Sequence, residues 1–156
     1  MVQVVNSWAH IAEVEILGQV PQFSLPSSRP LLGPAVRAGF PSPADDYIEE
    51  WLDLNDLLVG DEKEAVYFVR ARGLSMLKAG IRPGDILVVN RARTAAHDDI
   101  VVASVDGALT LKRLYKRNGQ IELHPANDSF NIITFSEGQE LLVWGVVTSC
   151  IHQFRK

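Results

Sequence analysis

From Ala65 onward, apolar and polar positions alternate in short runs separated by turn residues. Val66-Tyr67-Phe68-Val69 is a β-branched and aromatic run, and Ile86 to Val89 follows the turn Pro83-Gly84-Asp85. Ile100 to Val105 and Leu109 to Leu114 flank Asp106-Gly107, the strongest short hairpin signal in the chain. Gln120 to His124, Ile132 to Phe135 and Leu141 to Cys150 supply further strands. Many short strands with turns between them predict a mostly β fold, a sandwich or half-open barrel. Just upstream, Tyr47, Ile48, Trp51, Leu52, Leu54, Leu57 and Leu58 recur at partly helical spacing. That spacing predicts one or two helical turns ending near Gly60.

The stretch from Met1 to Ala38 has a different character. Pro21, Pro26, Pro30 and Pro34 recur at short intervals, and proline fixes φ and removes a backbone donor. Neither a long helix nor a central strand fits there, although Ile11 to Leu17 has room for one short strand or helical turn. Arg29 and Arg37 balance Glu13 and Glu15. The expected organisation is an extended N-terminal arm, residues 1–38, laid over a folded domain, residues 39–156. Between them, Gly39-Phe40-Pro41-Ser42-Pro43-Ala44 reads as extended and exposed, and Asp45-Asp46 and Glu49-Glu50 as a solvated acidic face.

Composition narrows the classes. A chain of 156 residues with 47% apolar content can bury one core. The net charge of −4 leaves no bulk basic surface for a phosphate backbone, so direct specific DNA binding is not expected. One cysteine, Cys150, makes no intrachain disulfide and fits a reducing cytoplasm; its apolar surroundings predict a buried core position. No run approaches the ~20 apolar residues that cross a bilayer, and no signal peptide is visible, so no membrane association is expected.

Two segments carry candidate chemistry. In Ala71-Arg72-Gly73-Leu74-Ser75-Met76-Leu77-Lys78-Ala79-Gly80, a strand runs into Gly73 and Ser75 opens a short helical turn that Gly80 ends. A serine so placed is expected to be exposed, with free backbone amides nearby, those of Ser75 and Met76, to stabilise an oxyanion. A plain helix cap is the alternative reading. In Leu109-Thr110-Leu111-Lys112-Arg113-Leu114, a lysine interrupts an apolar hairpin strand and shares a face with Thr110 and Leu114. Burial there favours the neutral amine, which can take a proton from a serine hydroxyl. A surface lysine on an edge strand is the alternative. His97, in Ala96-His97-Asp98-Asp99, reads as a turn residue, with a Ser-His-Asp arrangement left open. His10, His124 and His152 lack metal-ligand spacing, and no metal or cofactor is expected.

Taken in order, Gly73-Leu74-Ser75-Met76, Pro83-Gly84-Asp85, Asp106-Gly107, Leu111-Lys112-Arg113, Pro125-Ala126-Asn127 and Val143-Trp144-Gly145-Val146-Val147 resemble a known series. It is that of the self-cleaving serine-lysine peptidase family of the LexA repressor, phage repressors and UmuD. Ala38-Gly39-Phe40-Pro41-Ser42-Pro43-Ala44-Asp45-Asp46-Tyr47-Ile48-Glu49 is similar to the UmuD-type members in particular. The resemblance implies the LexA/UmuD-like C-terminal peptidase fold of short twisted strands. It implies Ser75 as nucleophile, Lys112 as general base and Ala38-Gly39 as the bond cut. For a UmuD-type member it further implies cleavage assisted by a RecA–single-stranded DNA filament. The cut form would be a homodimer working with a Y-family, UmuC-type polymerase subunit in bacterial translesion synthesis. A LexA-like transcriptional regulator is the alternative, and only 38 residues precede the cut, with no basic recognition helix among them. A signal-peptidase-like enzyme shares the chemistry but needs a membrane anchor.

Overall fold

Valine, isoleucine and leucine crowd the segments after residue 65, and such residues fit the pleated surface of a sheet. The computed structural model, which describes residues 13–19, 28–32, 48–136, 139 and 141–154, accordingly folds mostly as antiparallel β-structure. The strands in chain order are β1 (Val14–Gln19), β2 (Ser28–Leu32), β3 (Ile48–Asp53), β4 (Val66–Ala71), β5 (Ile86–Asn90), β6 (Ile100–Val105), β7 (Ala108–Arg117), β8 (Gln120–His124), β9 (Ile133–Thr134) and β10 (Leu141–Ile151). Eight of them form one sheet in the order β1-β4-β5-β10-β6-β7-β8-β9, and β2 pairs with β3 separately. The mostly β architecture of short strands expected from the sequence is the architecture observed.

The β6–β7 hairpin turns at Asp106 and Gly107, whose φ values of 50° and 86° place both residues in the left-handed region. Asp-Gly is the dipeptide such a two-residue turn demands, and the turn fixes the register that pairs Val101 with Lys112 and Val102 with Leu111. Consecutive residues of β6, Val101 and Val102, are both fully buried, so this strand is covered on both faces. One core cluster holds Val14, Val69, Ala71, Met76, Leu87, Val102 and Leu111; a second holds Val101, Ala103, Leu114, Leu123 and Val146. Ser75 and Lys112, both buried, are the chain neighbours of Met76 and Leu111 in the first.

Two expectations need correction. The partly helical segment from Tyr47 to Leu58 is half strand: β3 occupies Ile48–Asp53, and the helix α1 spans Leu54–Leu58 alone. Pairing with β2 wins over the local spacing, and Pro30 is tolerated because, among the described residues, β2 is an edge strand paired with β3. Asp53 then caps α1, its side chain accepting from the Asn55 amide at 2.8 Å. Cys150, expected in the core, is exposed. The physical reason is a register shift between Val147 and Ser149, which breaks the two-residue alternation and turns Cys150 away from the face of buried Val146.

A second shift in β10, between Val143 and Gly145, brings Gly145 against β5. A Cβ built there would lie 2.6 Å from a methyl of fully buried Val89 and 3.2 Å from the Asn90 carbonyl oxygen. Gly145→Ala is therefore expected to lower stability by about 1–3 kcal/mol through overpacking. Urea unfolding should show a lower midpoint at unchanged slope, and Val89→Ala in the same chain should recover part of the loss. An unchanged midpoint would refute the close approach.

Candidate active site

β4 ends at Ala71, and the chain turns through Gly73 and Leu74 to Ser75 before a 3₁₀ turn at Leu77–Ala79 that closes on Gly80, φ 82°. The serine turn is strapped to the loop after β8. The Ala126 amide donates to the Ser75 carbonyl at 2.7 Å, the Lys78 amide donates to the Ala126 carbonyl at 2.8 Å, and the Asn127 side-chain amide donates to the Leu74 carbonyl at 2.8 Å. This strap explains a third departure from expectation: Ser75 is not exposed but 2% accessible. The short turn is covered by residues that lie about fifty positions later in the sequence.

Lys112 comes from the middle of β7 and is 3% accessible. Taking an ammonium out of water costs several kcal/mol unless its donors are met. All three are. Lys112 Nζ donates to Glu13 Oε2 at 2.5 Å, to Thr110 Oγ1 at 2.8 Å and to the Leu111 carbonyl oxygen at 3.2 Å. The Phe130 ring lies 6.0 Å from Nζ and adds a cation–π contact. The Ser75 hydroxyl donates to the same Leu111 carbonyl oxygen at 3.0 Å. Ser75 and Lys112, 37 positions apart in sequence, thus converge on one acceptor in one buried corner.

Glu13 was legible in the sequence only as one of several arm charges. Its carboxylate accepts from Lys112, from the Thr110 hydroxyl at 2.6 Å and from the Leu111 amide at 2.9 Å. Its backbone is held on both sides: the amide donates to the Leu109 carbonyl at 3.2 Å, and its carbonyl accepts from the Arg72 and Gly73 amides at 2.8 and 3.2 Å. Burial alone would raise the Glu13 carboxyl, but the hydrogen bonds from Lys112, Thr110 and Leu111 outweigh it and hold the group below the usual carboxylate range. Next to it, β1 pairs along β4, and Glu15 forms an exposed ion pair with Arg72.

The other candidates lie elsewhere. His97 accepts from the Lys116 amide at 3.1 Å, faces Asp98 at 3.3 Å and packs edge-on to Tyr115; none of these contacts is with Ser75. His124 pairs with Glu122 and His152 with buried Asp85. His10, Ala38 and Gly39 fall outside the described residues; β2 and β3 bracket the segment 33–47 that contains Ala38-Gly39. Among the described residues no group of three or more His, Cys, Asp or Glu is arranged to hold a metal, and no helix is long and apolar enough to cross a membrane.

Comparison with known proteins adds a family. A family profile described as Peptidase S24-like matches residues 30–148. The chain is 44% identical over 128 residues to the protein ImpA of Salmonella typhimurium, covering 82% of this chain and 86% of that one. It is 43% identical over 129 residues to SamA of Salmonella typhimurium strain LT2, covering 83% and 89%. A LexA repressor of Geobacter sulfurreducens is 41% identical over 122 residues, covering 77% of this chain and 59% of the repressor.

The Glu13 contacts carry a pH dependence. A carboxyl held low in the folded state stabilises above its unfolded value and loses that contribution as pH falls through the folded one. Docking of β1 should therefore weaken below about pH 4, where an ordinary glutamate begins to protonate. Hydrogen exchange at the β1 and β4 amides, compared at pH 6 and pH 3 after correction for intrinsic rates, should show protection falling in β1 before β5. Equal protection at both values would refute it.

Proposed function

The chain belongs to the Peptidase S24-like family of LexA and UmuD type, and we propose that within it the protein is a self-cleaving, UmuD-type accessory subunit of an error-prone polymerase. The observation that carries the chemistry is the convergence of buried Ser75 and buried Lys112 on the Leu111 carbonyl oxygen. The UmuD-type assignment rests on the Ala38–Glu49 string and on the near full-length match to ImpA and SamA, set against partial coverage of the LexA repressor.

In this reading the neutral Lys112 amine takes the proton from Ser75 Oγ as it attacks the Ala38 carbonyl carbon. Backbone amides of Ser75 and Met76 stabilise the oxyanion. The Ala38–Gly39 C–N bond breaks, and the proton on Lys112 goes to the departing Gly39 amine. Water, deprotonated by Lys112, then releases the Ala38 carboxylate and restores the Ser75 hydroxyl. A RecA–single-stranded DNA filament favours the cutting arrangement. The shortened chain, 39–156, acts as a homodimer with a Y-family, UmuC-type catalytic subunit in the bacterial cytoplasm. No cofactor takes part.

Incubated purified protein should yield a fragment whose new N-terminus is Gly39 by mass spectrometry, at a rate that rises with pH because only the neutral amine is a base. Ser75→Ala and Lys112→Ala should abolish cutting by at least about a hundredfold, the scale of a lost nucleophile or general base, and His97→Ala should leave it within about twofold. A cut elsewhere, or cutting that survives Lys112→Ala and fails in His97→Ala, would overturn the assignment.

In cells lacking their own subunit, a gene for residues 39–156 carrying Ser75→Ala should restore damage-induced mutagenesis, because the serine has no task once the arm is gone. Failure of that chain beside an equally abundant unmutated 39–156 would point to a protease acting on other substrates. Sequence-specific footprinting on duplex DNA by the full-length protein would favour a LexA-like regulator.

A further inference from the structure

The contacts of Glu13 are those of an extended peptide seated in a groove. One wall is β7, which takes the Glu13 amide at Leu109 and offers the Leu111 amide to its side chain. The other wall is the turn before Ser75, whose Arg72 and Gly73 amides hold the Glu13 carbonyl. Gly73 makes the approach possible: a Cβ there would meet the Glu13 Cγ at 2.9 Å and its Cβ at 3.0 Å. A groove with backbone donors and acceptors on both walls, leading to Ser75 and Lys112, suits a peptide that adds as a strand. Here a residue of the chain's own arm fills it.

The side chain does something a bystander strand would not. The groups facing Lys112 Nζ are the Glu13 carboxylate from the segment before β1, the Thr110 hydroxyl and Leu111 carbonyl from β7, and the Phe130 ring from the loop after β8. Among the described residues, the ion pair recorded for Lys112 is the one with Glu13. An ammonium with its three protons given to Glu13, Thr110 and Leu111 has no lone pair for Ser75.

We propose that Glu13 is a positioning residue of the Ser75–Lys112 site, which occupies the groove the scissile segment must enter and holds Lys112 as its ion-pair partner until residues 13–19 leave. The inference rests on the serine-lysine reading proposed above. Cutting then needs two coupled events: β1 releases the β4 edge, and Lys112 loses its carboxylate partner. The arm is thus a competitor of the cleavage segment for the same groove, tethered to the same chain.

The test is the rate of self-cleavage of the full-length chain as a function of pH, for the wild type, Glu13→Gln, Lys112→Ala and the Glu13→Gln/Lys112→Ala double variant. Glutamine keeps the shape and can still accept from the Leu111 amide, so the fold is checked by an unchanged urea midpoint within the size expected for one polar contact. The expected result, followed to a pH at which the wild-type rate levels off, is cutting by Glu13→Gln about tenfold faster at pH 7, the scale of one charge-assisted hydrogen bond, with the plateau reached at lower pH. Labelling of Ser75 by a fluorophosphonate probe should rise in parallel. A rate raised by the same factor at every pH, the plateau included, would show a vacated groove without any effect on Lys112, and would overturn the positioning role. A rate equal to or below the wild type, with cutting still abolished by Lys112→Ala, would overturn the whole inference while leaving the serine-lysine reading intact. Cutting by the double variant at the rate of Glu13→Gln would instead sink the serine-lysine reading itself.

Discussion

A lysine in the middle of an apolar strand is the constraint around which this structure is arranged. An ammonium at 3% accessibility is tolerable only with every proton accepted, and the three acceptors come from two distant parts of the chain. Thr110 lies two residues away on the same face of β7, the Leu111 carbonyl is the preceding peptide, and Glu13 is 99 positions upstream. Among the described residues, Glu13 is the counter-charge recorded at this corner. Docking of the arm and the electrostatics of the lysine are therefore one feature, not two.

The Leu111 carbonyl is the point at which this feature meets the serine. A carbonyl oxygen has two lone pairs, and here one strand residue accepts from Ser75 on one side and from Lys112 on the other. The β6–β7 hairpin fixes where that oxygen points, because the Asp106-Gly107 turn sets the register that pairs Leu111 with Val102 in the core. The serine side is fixed separately, by Ala126 and Asn127 clasping the turn. Two independent supports hold the two groups to one oxygen.

What could be read from the sequence follows from how local each feature is. The hairpins, the Gly80 stop and the strands after residue 65 are set by neighbours in sequence, and all of them appear in the fold. Ser75 and Lys112 each break a local pattern, a polar residue at a turn and a charge in an apolar run, but the pattern alone left plainer readings open, and the ordered series of motifs around them singled them out. Thr110 was visible as a face-mate of Lys112. Features decided by distant partners were not. The strand at Ile48–Asp53 exists because β2 pairs with it, the burial of Ser75 depends on a segment after β8, and Cys150 turns outward because of a bulge. Glu13 was the hardest, since nothing in Glu13-Val14-Glu15 separates a carboxylate facing Lys112 from one facing Arg72.

On the reading proposed above, the chain carries its own scissile bond and must also hold that bond off. Effective concentration makes this demanding: a cleavage segment tethered to its own active site is present at about millimolar levels at all times. Keeping the cutting arrangement near 1% of molecules needs a gap of about 2.7 kcal/mol between the two occupants of the groove. A hydrogen bond to a charged group contributes about 1.5–3 kcal/mol, so one buried carboxylate on one buried ammonium is of the right size. A stronger clasp would make the protein inert, and a weaker one would let it cut without a signal. On the reading proposed here, a partner need not reshape the site at all. It has only to bind the arrangement in which β1 has left β4 more tightly than the one in which it has not, and by an amount comparable to that single contact.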